Sequence, residues 1–407
     1  MTILHTADWH LGQHFGDHDR REEHLHFLNW LVEIIRERKV DAVIHAGDVF
    51  DVFSPPKYAE EMYYNFLREM VLSDCNNIII TGGNHDSAAT LNAPAKLLKS
   101  LNIHIIGCAT DNISDQIIEL VDSDGNIIGA VAAVPFLRDK DLLRESISGE
   151  SYDDRTKRIA GGINAHYERS RDEILTYKQQ GLPVIATGHL FVSGGATSES
   201  EKDIHIGNIG QIGAEIFPVE FDYIALGHLH RPQIVNKQSR IRYSGSPIPL
   251  SFSEIADKKQ ILLVEFQPNL DIKIESIEIP KLRQLIRFQG DFEAIISLIS
   301  SFSLNEDELP AWVEVIIELD AYNPDMDRQV RELAERNPNL EIFKVRPKYS
   351  DRFSPITEQF QSIPDLDDLN PMDVFAKKME SLGMDESSEL METFKQLLEH
   401  KHQQEII

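Results

Sequence analysis

Ile78-Ile79-Ile80-Thr81-Gly82-Gly83-Asn84-His85-Asp86 is a β-branched apolar run followed by two glycines and three polar side chains in succession. The run reads as a buried strand, and the glycines let its backbone turn and approach other chain segments more closely than larger residues would. Asn84, His85 and Asp86 are thereby delivered to the mouth of the strand, and they are residue types that bind metal or move a proton. An Asn-His-Asp turn bonding only its own backbone would look the same in isolation, so the weight of the motif rests on what the other strands deliver.

Four other segments are built the same way. Ile3-Leu4-His5-Thr6-Ala7-Asp8-Trp9-His10 is an apolar strand ending in Asp-x-His, and in an extended chain residues two apart share a face, which would point Asp8 and His10 the same way. Asp41-Ala42-Val43-Ile44-His45-Ala46-Gly47-Asp48, Leu182-Pro183-Val184-Ile185-Ala186-Thr187-Gly188-His189 and Phe221-Asp222-Tyr223-Ile224-Ala225-Leu226-Gly227-His228-Leu229-His230 each run from a strand through glycine to a donor. Between the first strands lie helical stretches near 18–38, 58–72 and 92–100, the first carrying Leu25, Leu28, Leu31, Val32 and Ile35 at helical spacing. His24 and His26 on it are expected at the surface. Such alternation of strand and helix argues for an α/β layer with functional groups at the carboxyl ends of its strands.

Beyond residue 106 the pattern changes. Ile117–Val121 and Ile127–Val131 flank Ser123-Asp124-Gly125-Asn126, a hairpin signal that implies antiparallel sheet. A long helix is expected near 156–180. The small, polar stretch Ser193–Ser200 reads as a loop that, placed beside His189, would touch substrate. The predicted domains are 1–279, a small α+β domain over 280–347, a linker over 348–369 rich in Ser, Pro, Gln and Asp, and a helix pair over 370–407. In that pair Asn370 caps, Pro371 opens, Met372, Phe375, Met379 and Leu382 form one stripe, and Gly383 ends the helix. Leu390, Phe394, Leu397 and Leu398 form the second stripe, with Ser387 as its cap. Thirty-eight residues cannot bury both stripes alone; they fold back on the body or, the preferred reading, dock on a partner.

The seven donors Asp8, His10, Asp48, Asn84, His189, His228 and His230 arise from five strand ends and form a pattern for two metal ions, with Asp48 the natural bridge. Mixed imidazole and carboxylate ligation favours Mn²⁺, Fe or Zn²⁺ over Mg²⁺. Paired ions suit phosphate-ester hydrolysis because they stabilise charge on both attacking and leaving oxygens. His85 cannot readily share the direction of its neighbour Asn84, so it is assigned to protonating the leaving oxygen or contacting phosphate, with Asp86 as its support.

Composition sets the bounds. The 407 residues carry 40 Lys and Arg against 67 Asp and Glu, a net charge of −27, which argues against a free-standing nucleic-acid binder. The segment 351–407 alone holds 13 acidic and 5 basic residues, and bound cations invert the local field at a site. No run of 18 apolar residues and no secretory leader is present, so the expectation is a cytoplasmic chain without a membrane span. Cys75 and Cys108 have no metal-type spacing and suit a reducing compartment as plain thiols.

Asp8-Trp9-His10, Gly47-Asp48, Gly82-Gly83-Asn84-His85, Gly188-His189 and Gly227-His228-Leu229-His230 together resemble the five motifs of the calcineurin-like metallophosphoesterases. Thr6–Gly12, Gly47-Asp48-Val49-Phe50-Asp51 followed by Ser54-Pro55-Pro56, and Gly245–Ser253 are similar to the bacterial nuclease subunits of that family, over essentially the whole chain. The resemblance implies an α/β fold with a two-sheet β-sandwich flanked by helices, a small α+β capping domain and C-terminal helices. It implies Asp8, His10, Asp48 and His230 on one ion, Asp48, Asn84, His189 and His228 on the other, and His85 as the catalytic residue. It further implies Mn²⁺, exonuclease and endonuclease action on double-stranded, hairpin and single-stranded DNA in break processing, replication and recombination. An SMC-like ATPase gripped by the C-terminal helices and a homodimer within a heterotetramer complete the implied assembly. At Asp51 other branches of the family carry histidine, so no role transfers to that residue. The competing readings are a phosphatase or cyclic-nucleotide phosphodiesterase acting without DNA, and a non-catalytic scaffold that tethers an ATPase.

Overall fold

The computed structural model describes residues 1–143, 150–201, 212–267, 271–305, 308–319, 323 and 325–349, together with 375, 379, 393 and 394. The chain divides into two compact units, Met1–Arg283 and Gln284–Ile407.

The first unit is built on two six-stranded sheets. One runs in the order Ile272–Glu278, Gln260–Phe266, Thr2–Thr6, Ala42–Ala46, Asn77–Thr81, Ile103–Ile106; the other runs Gln233–Ile234, Ile241–Tyr243, Tyr223–Gly227, Val184–His189, Ile127–Ala132, Ile117–Val121. Thr2–Thr6, Ala42–Ala46 and Asn77–Thr81 are mutually parallel, as are Val184–His189 and Tyr223–Gly227. Antiparallel pairs supply the margins, including the expected hairpin of Ile117–Val121 with Ile127–Ala132.

Period-two alternation explains why these strands are apolar throughout. Ile3, Ala42, Ile44 and Ile79 face inward and pack on Val131, Ile185, Tyr223 and Ala225 of the second sheet. Leu4, Val43, Ile78 and Ile80 face outward beneath helices Arg21–Glu37 and Lys57–Val71. The outer face of the second sheet is covered by helix Tyr152–Gln179 through Ile159, Ile163, Tyr167 and Ile174. Two polar ties cross the sandwich. The Asn77 amide donates to the Asp41 and Val121 carbonyls and accepts the Val121 amide, all at 2.8–2.9 Å, while His5 bonds the Tyr223 hydroxyl at 2.9 Å and the Leu226 carbonyl at 3.1 Å.

Several local expectations need correction. Residues His14–Phe15 and His18–Asp19 form a small hairpin, so the first helix starts at Arg21, and Leu25 lies on its exposed side. His24 is fully buried, its Nε2 against the Trp9 carbonyl at 2.9 Å; its place on the apolar stripe outweighs its polarity because one backbone partner satisfies it. The helix expected over 92–100 is two short turns, Ala88–Asn92 and Ala95–Lys99, with Pro94 between them, where it lacks the N–H that would continue the first.

The second unit has a three-stranded sheet in the order Arg283–Gly290, Leu309–Leu319, Leu340–Tyr349, with helices Phe292–Ser301 and Met326–Ala334 packed on it through Ile295, Ile299, Val330 and Ala334. The Asp291 carboxylate caps the first helix at the Ala294 amide, 2.8 Å away. Most of the expected linker and C-terminal helix pair lies outside the described residues. Of the two stripes, Phe375 and Phe394 are described, and their rings stack on one another with centroids 4.1 Å apart at 8°. Among the described residues no helix is long and apolar enough to cross a membrane.

Candidate metal centre

All five donor-bearing strand ends open on the same edge of the sandwich, because the parallel strands of each sheet point their carboxyl ends the same way. The local route to the donors is not the extended one anticipated. The first strand stops at Thr6, and Asp8 and His10 sit in left-handed backbone at φ 53° and 46°, as do Asp48 at 56° and, in a wider conformation, His228 at 100°. Such conformations cost roughly 1–3 kcal/mol each in non-glycine residues and persist only where the surroundings impose them. Here the Asp8 amide donates to the Gly47 carbonyl and the His10 amide to the Asp48 carbonyl, at 3.0 and 3.1 Å, locking the two turns side by side. Asp8 and His10 do converge, but through paired turns rather than a shared strand face.

Two glycines make room for the centre. A Cβ on Gly83 would overlap the Asp48 carboxylate and amide nitrogen, and one on Gly47 would overlap the His189 ring. The donors then fall into two overlapping groups, Asp8 with His10 and His230, and Asp8 with Asp48 and His189, in each of which the ligand atoms lie within 4.8 Å of one another. Asp48 Oδ2 is 3.6 Å from His10 Nε2 and 3.2 Å from His189 Nε2, so this one carboxylate oxygen lies against both imidazoles. The Asn84 side-chain oxygen reaches His189 Nε2 at 2.9 Å, because His189 Nδ1 meets the Ala46 carbonyl at 3.0 Å and turns the other nitrogen inward. His228 packs its ring edge-on to His189 at 5.4 Å, and its amide donates to Asp8 Oδ1 at 2.8 Å. His230 lies edge-on to His10 at 5.0 Å.

Buried Asp8 Oδ2 and His10 Nε2 have no hydrogen-bond partner, which is costly for groups so deep unless another electrophile satisfies them. Oxygen and imidazole donors around such orphans fit divalent cations.

Residues 1–232 match the family model described as Calcineurin-like phosphoesterase, and residues 281–381 match Type 5 capsule protein repressor C-terminal domain. The chain belongs to the calcineurin-like phosphoesterase family. Its relatives include SbcD, the D component of the nuclease SbcCD, from Escherichia coli (strain K12), 35% identical over 390 residues that cover 96% of this chain and 95% of the relative. Proteins of the same name from Rhodobacter capsulatus and Bacillus subtilis (strain 168) are 37% and 32% identical over 65% and 71% of this chain and 66% and 72% of their own lengths. The chain is thus a phosphoesterase of the SbcD nuclease group, and the family implies divalent metal ions at the His and Asp cluster.

The electrostatics of the phosphoesterase centre follow from burial and crowding. Burial works against charge on His10 and His189, yet the Asp51 bond and Asp48 charge at His10, and the Asp48 charge and bond at His189, raise both to about 9. Burial lifts Asp8 to about 6 against the pull of His189 and His230, while Asp48 is held well below the ordinary carboxylate range, its burial outweighed by His189 and His10. Burial, with the charge of His189, keeps His228 neutral well below the usual histidine value.

Two assignments change. Asp86 does not orient His85; its carboxylate accepts the Val49, Phe50 and Gly83 amides at 2.9–3.1 Å and ties the Asp48 turn to the Gly83 turn. The Asp51 carbonyl takes His85 Nδ1 at 2.6 Å instead, and the Asp51 carboxylate takes His10 Nδ1 at 3.1 Å. Asp51 was legible only as part of the motif Gly47–Asp51, since its reach to two histidines depends on the turn after Asp48. The loop Ser193–Ser200 meets the centre at His230 rather than His189, with the Ser200 hydroxyl 2.6 Å from His230 Nδ1.

Proposed function

We propose that the chain is the Mn²⁺-dependent DNA nuclease subunit of a cytoplasmic complex with an SbcC-like SMC-type ATPase, cutting phosphodiesters as exonuclease and endonuclease in break processing, replication and recombination. The observation that carries this reading is the Asp48 carboxylate set between His10 and His189, a bridging position for two ions. Asp8, His10, Asp48 and His230 would hold one ion and Asp48, Asn84, His189 and His228 the other. Bound there, the ions supply Lewis-acid charge for the attacking and leaving oxygens of the ester. The Asp51 carbonyl, by accepting Nδ1–H of His85, leaves Nε2 as the atom that hands a proton to the leaving oxygen. The names of the relatives support DNA as substrate and a second protein as partner. A net charge of −27 suits a protein whose DNA grip comes from elsewhere, and the C-terminal stripes would seat the ATPase in a heterotetramer around a homodimer of this chain.

Double-stranded, hairpin and single-stranded DNA are assayed against small phosphomonoesters with Mn²⁺. DNA cleavage is expected, and hydrolysis of the small ester alone would favour the phosphatase reading. His85→Ala should lose cleavage yet take up both ions, which excludes a scaffold. Deleting 371–407 should abolish ATPase binding while cleavage of short single strands survives; unchanged binding would remove the partner assignment.

A further inference from the structure

Behind His230 lies an ion pair that the proposed chemistry does not use. Glu254 is fully buried and Lys259 is 1% exposed, and their head groups meet at 2.5 Å. A buried ion pair returns little stability over well-packed apolar residues, so its partners are the place to look for its purpose. Those partners converge on His230. Lys259 donates to the His230 carbonyl at 2.8 Å and to the Ser246 hydroxyl at 2.9 Å, and the His230 amide donates to Glu201 at 2.8 Å. Glu254 Oε1 accepts the Ser200 hydroxyl at 2.5 Å and the Ser198 and Ser251 hydroxyls at 3.1 and 3.2 Å.

The direction of these bonds decides the state of the imidazole. A carboxylate only accepts, so the single Ser200 proton is drawn to Glu254, and the Ser200 oxygen is left to accept from His230 Nδ1 at 2.6 Å. That bond requires the Nδ1–H tautomer, which presents the Nε2 lone pair to the donor cluster. We propose that Ser200, oriented by the Glu254–Lys259 pair, is a positioning residue that fixes the tautomer and ring angle of His230 for metal binding, making the loop Ser193–Glu201 a working part of the centre. The inference rests on His230 being a metal ligand, as in the function proposed above.

Mn²⁺ titration of the full-length, EDTA-treated chain by calorimetry tests it, with thermal unfolding of the metal-free form alongside. Ser200→Ala should weaken one of the two ions by about 10- to 100-fold, the usual loss when the partner of a ligating histidine is removed, and leave the other ion and the metal-free unfolding temperature unchanged. Ser200→Thr keeps the hydroxyl and should bind as the parent does, whereas Ser200→Val, which matches Thr in shape without the hydroxyl, should behave like Ala; this pair decides the matter even if Ala disturbs the loop. Ser251→Ala, which touches Glu254 but not His230, should bind as the parent. Equal binding by the Thr and Val variants, or an equal loss in Ser251→Ala, would overturn the proposal. His230→Ala separates the two levels: if it binds both ions normally, the ligand assignment itself fails, and if it loses one while Ser200→Val does not, only the role of Ser200 fails.

Discussion

Loading the metal-free chain with divalent ions at pH 7 should expel about two protons, because metal ligands must be unprotonated and His10 and His189 are both raised to about 9 in the empty cluster. At pH 7 each is some two units below its pKa, so freeing each ring opposes binding by about 3 kcal/mol. Apparent affinity for the pair of ions should therefore climb about 100-fold per pH unit from 7 toward 9 and level off above. The metal-free fold moves the other way. Raised above the ordinary 6.5, each imidazolium contributes stability that is complete below that value and is lost as pH rises through about 9. Calorimetry of Mn²⁺ binding in two buffers of different ionisation enthalpy counts the protons directly, and melting curves in EDTA follow the fold. Binding at pH 7 without proton release, or an affinity flat from 7 to 9, would refute the account of the cluster as protons standing where cations belong.

Gly83→Ala puts a methyl group into the Asp48 carboxylate and amide, and since backbone cannot step aside cheaply, metal affinity by calorimetry should fall at least about 10-fold. Asn77→Ala removes three hydrogen bonds and leaves the Val121 groups and the Asp41 carbonyl unpaired inside the sandwich; a loss of about 3 kcal/mol is expected in urea unfolding, with the metal sites intact in what remains folded. His5, His24 and His45 are lowered to about 3, chiefly by burial, so the unfolded chain takes up their protons first. Their contribution is full above 6.5 and is lost as pH falls toward 3, by up to about 4 kcal/mol per unit, so metal-free melting temperatures should drop steeply on that limb.

The strand, glycine and donor construction was legible in the chain because each part is local: an apolar run buries on both faces, a glycine permits close approach, and a donor follows. Thus Asp8, His10, Asp48, Asn84, His189, His228 and His230 were identifiable by residue type and position alone. Which of them meet was not, since the Asp8 carboxylate and the His228 amide join across 220 residues only once two separate sheets present their edges together. The left-handed turns at Asp8, His10 and Asp48 were also beyond local reading, because nothing in Asp-Trp-His favours φ near 50°; the bonds to Gly47 and Asp48 impose it. His24 misled for the same reason, a polar side chain whose partner is the carbonyl of distant Trp9. Asp51 and Ser200 owe their places to long-range packing as well. The sequence by itself determined the chemistry available at the centre, and the tertiary structure decided its geometry, because side-chain type is a property of each residue while distance is a property of the folded whole.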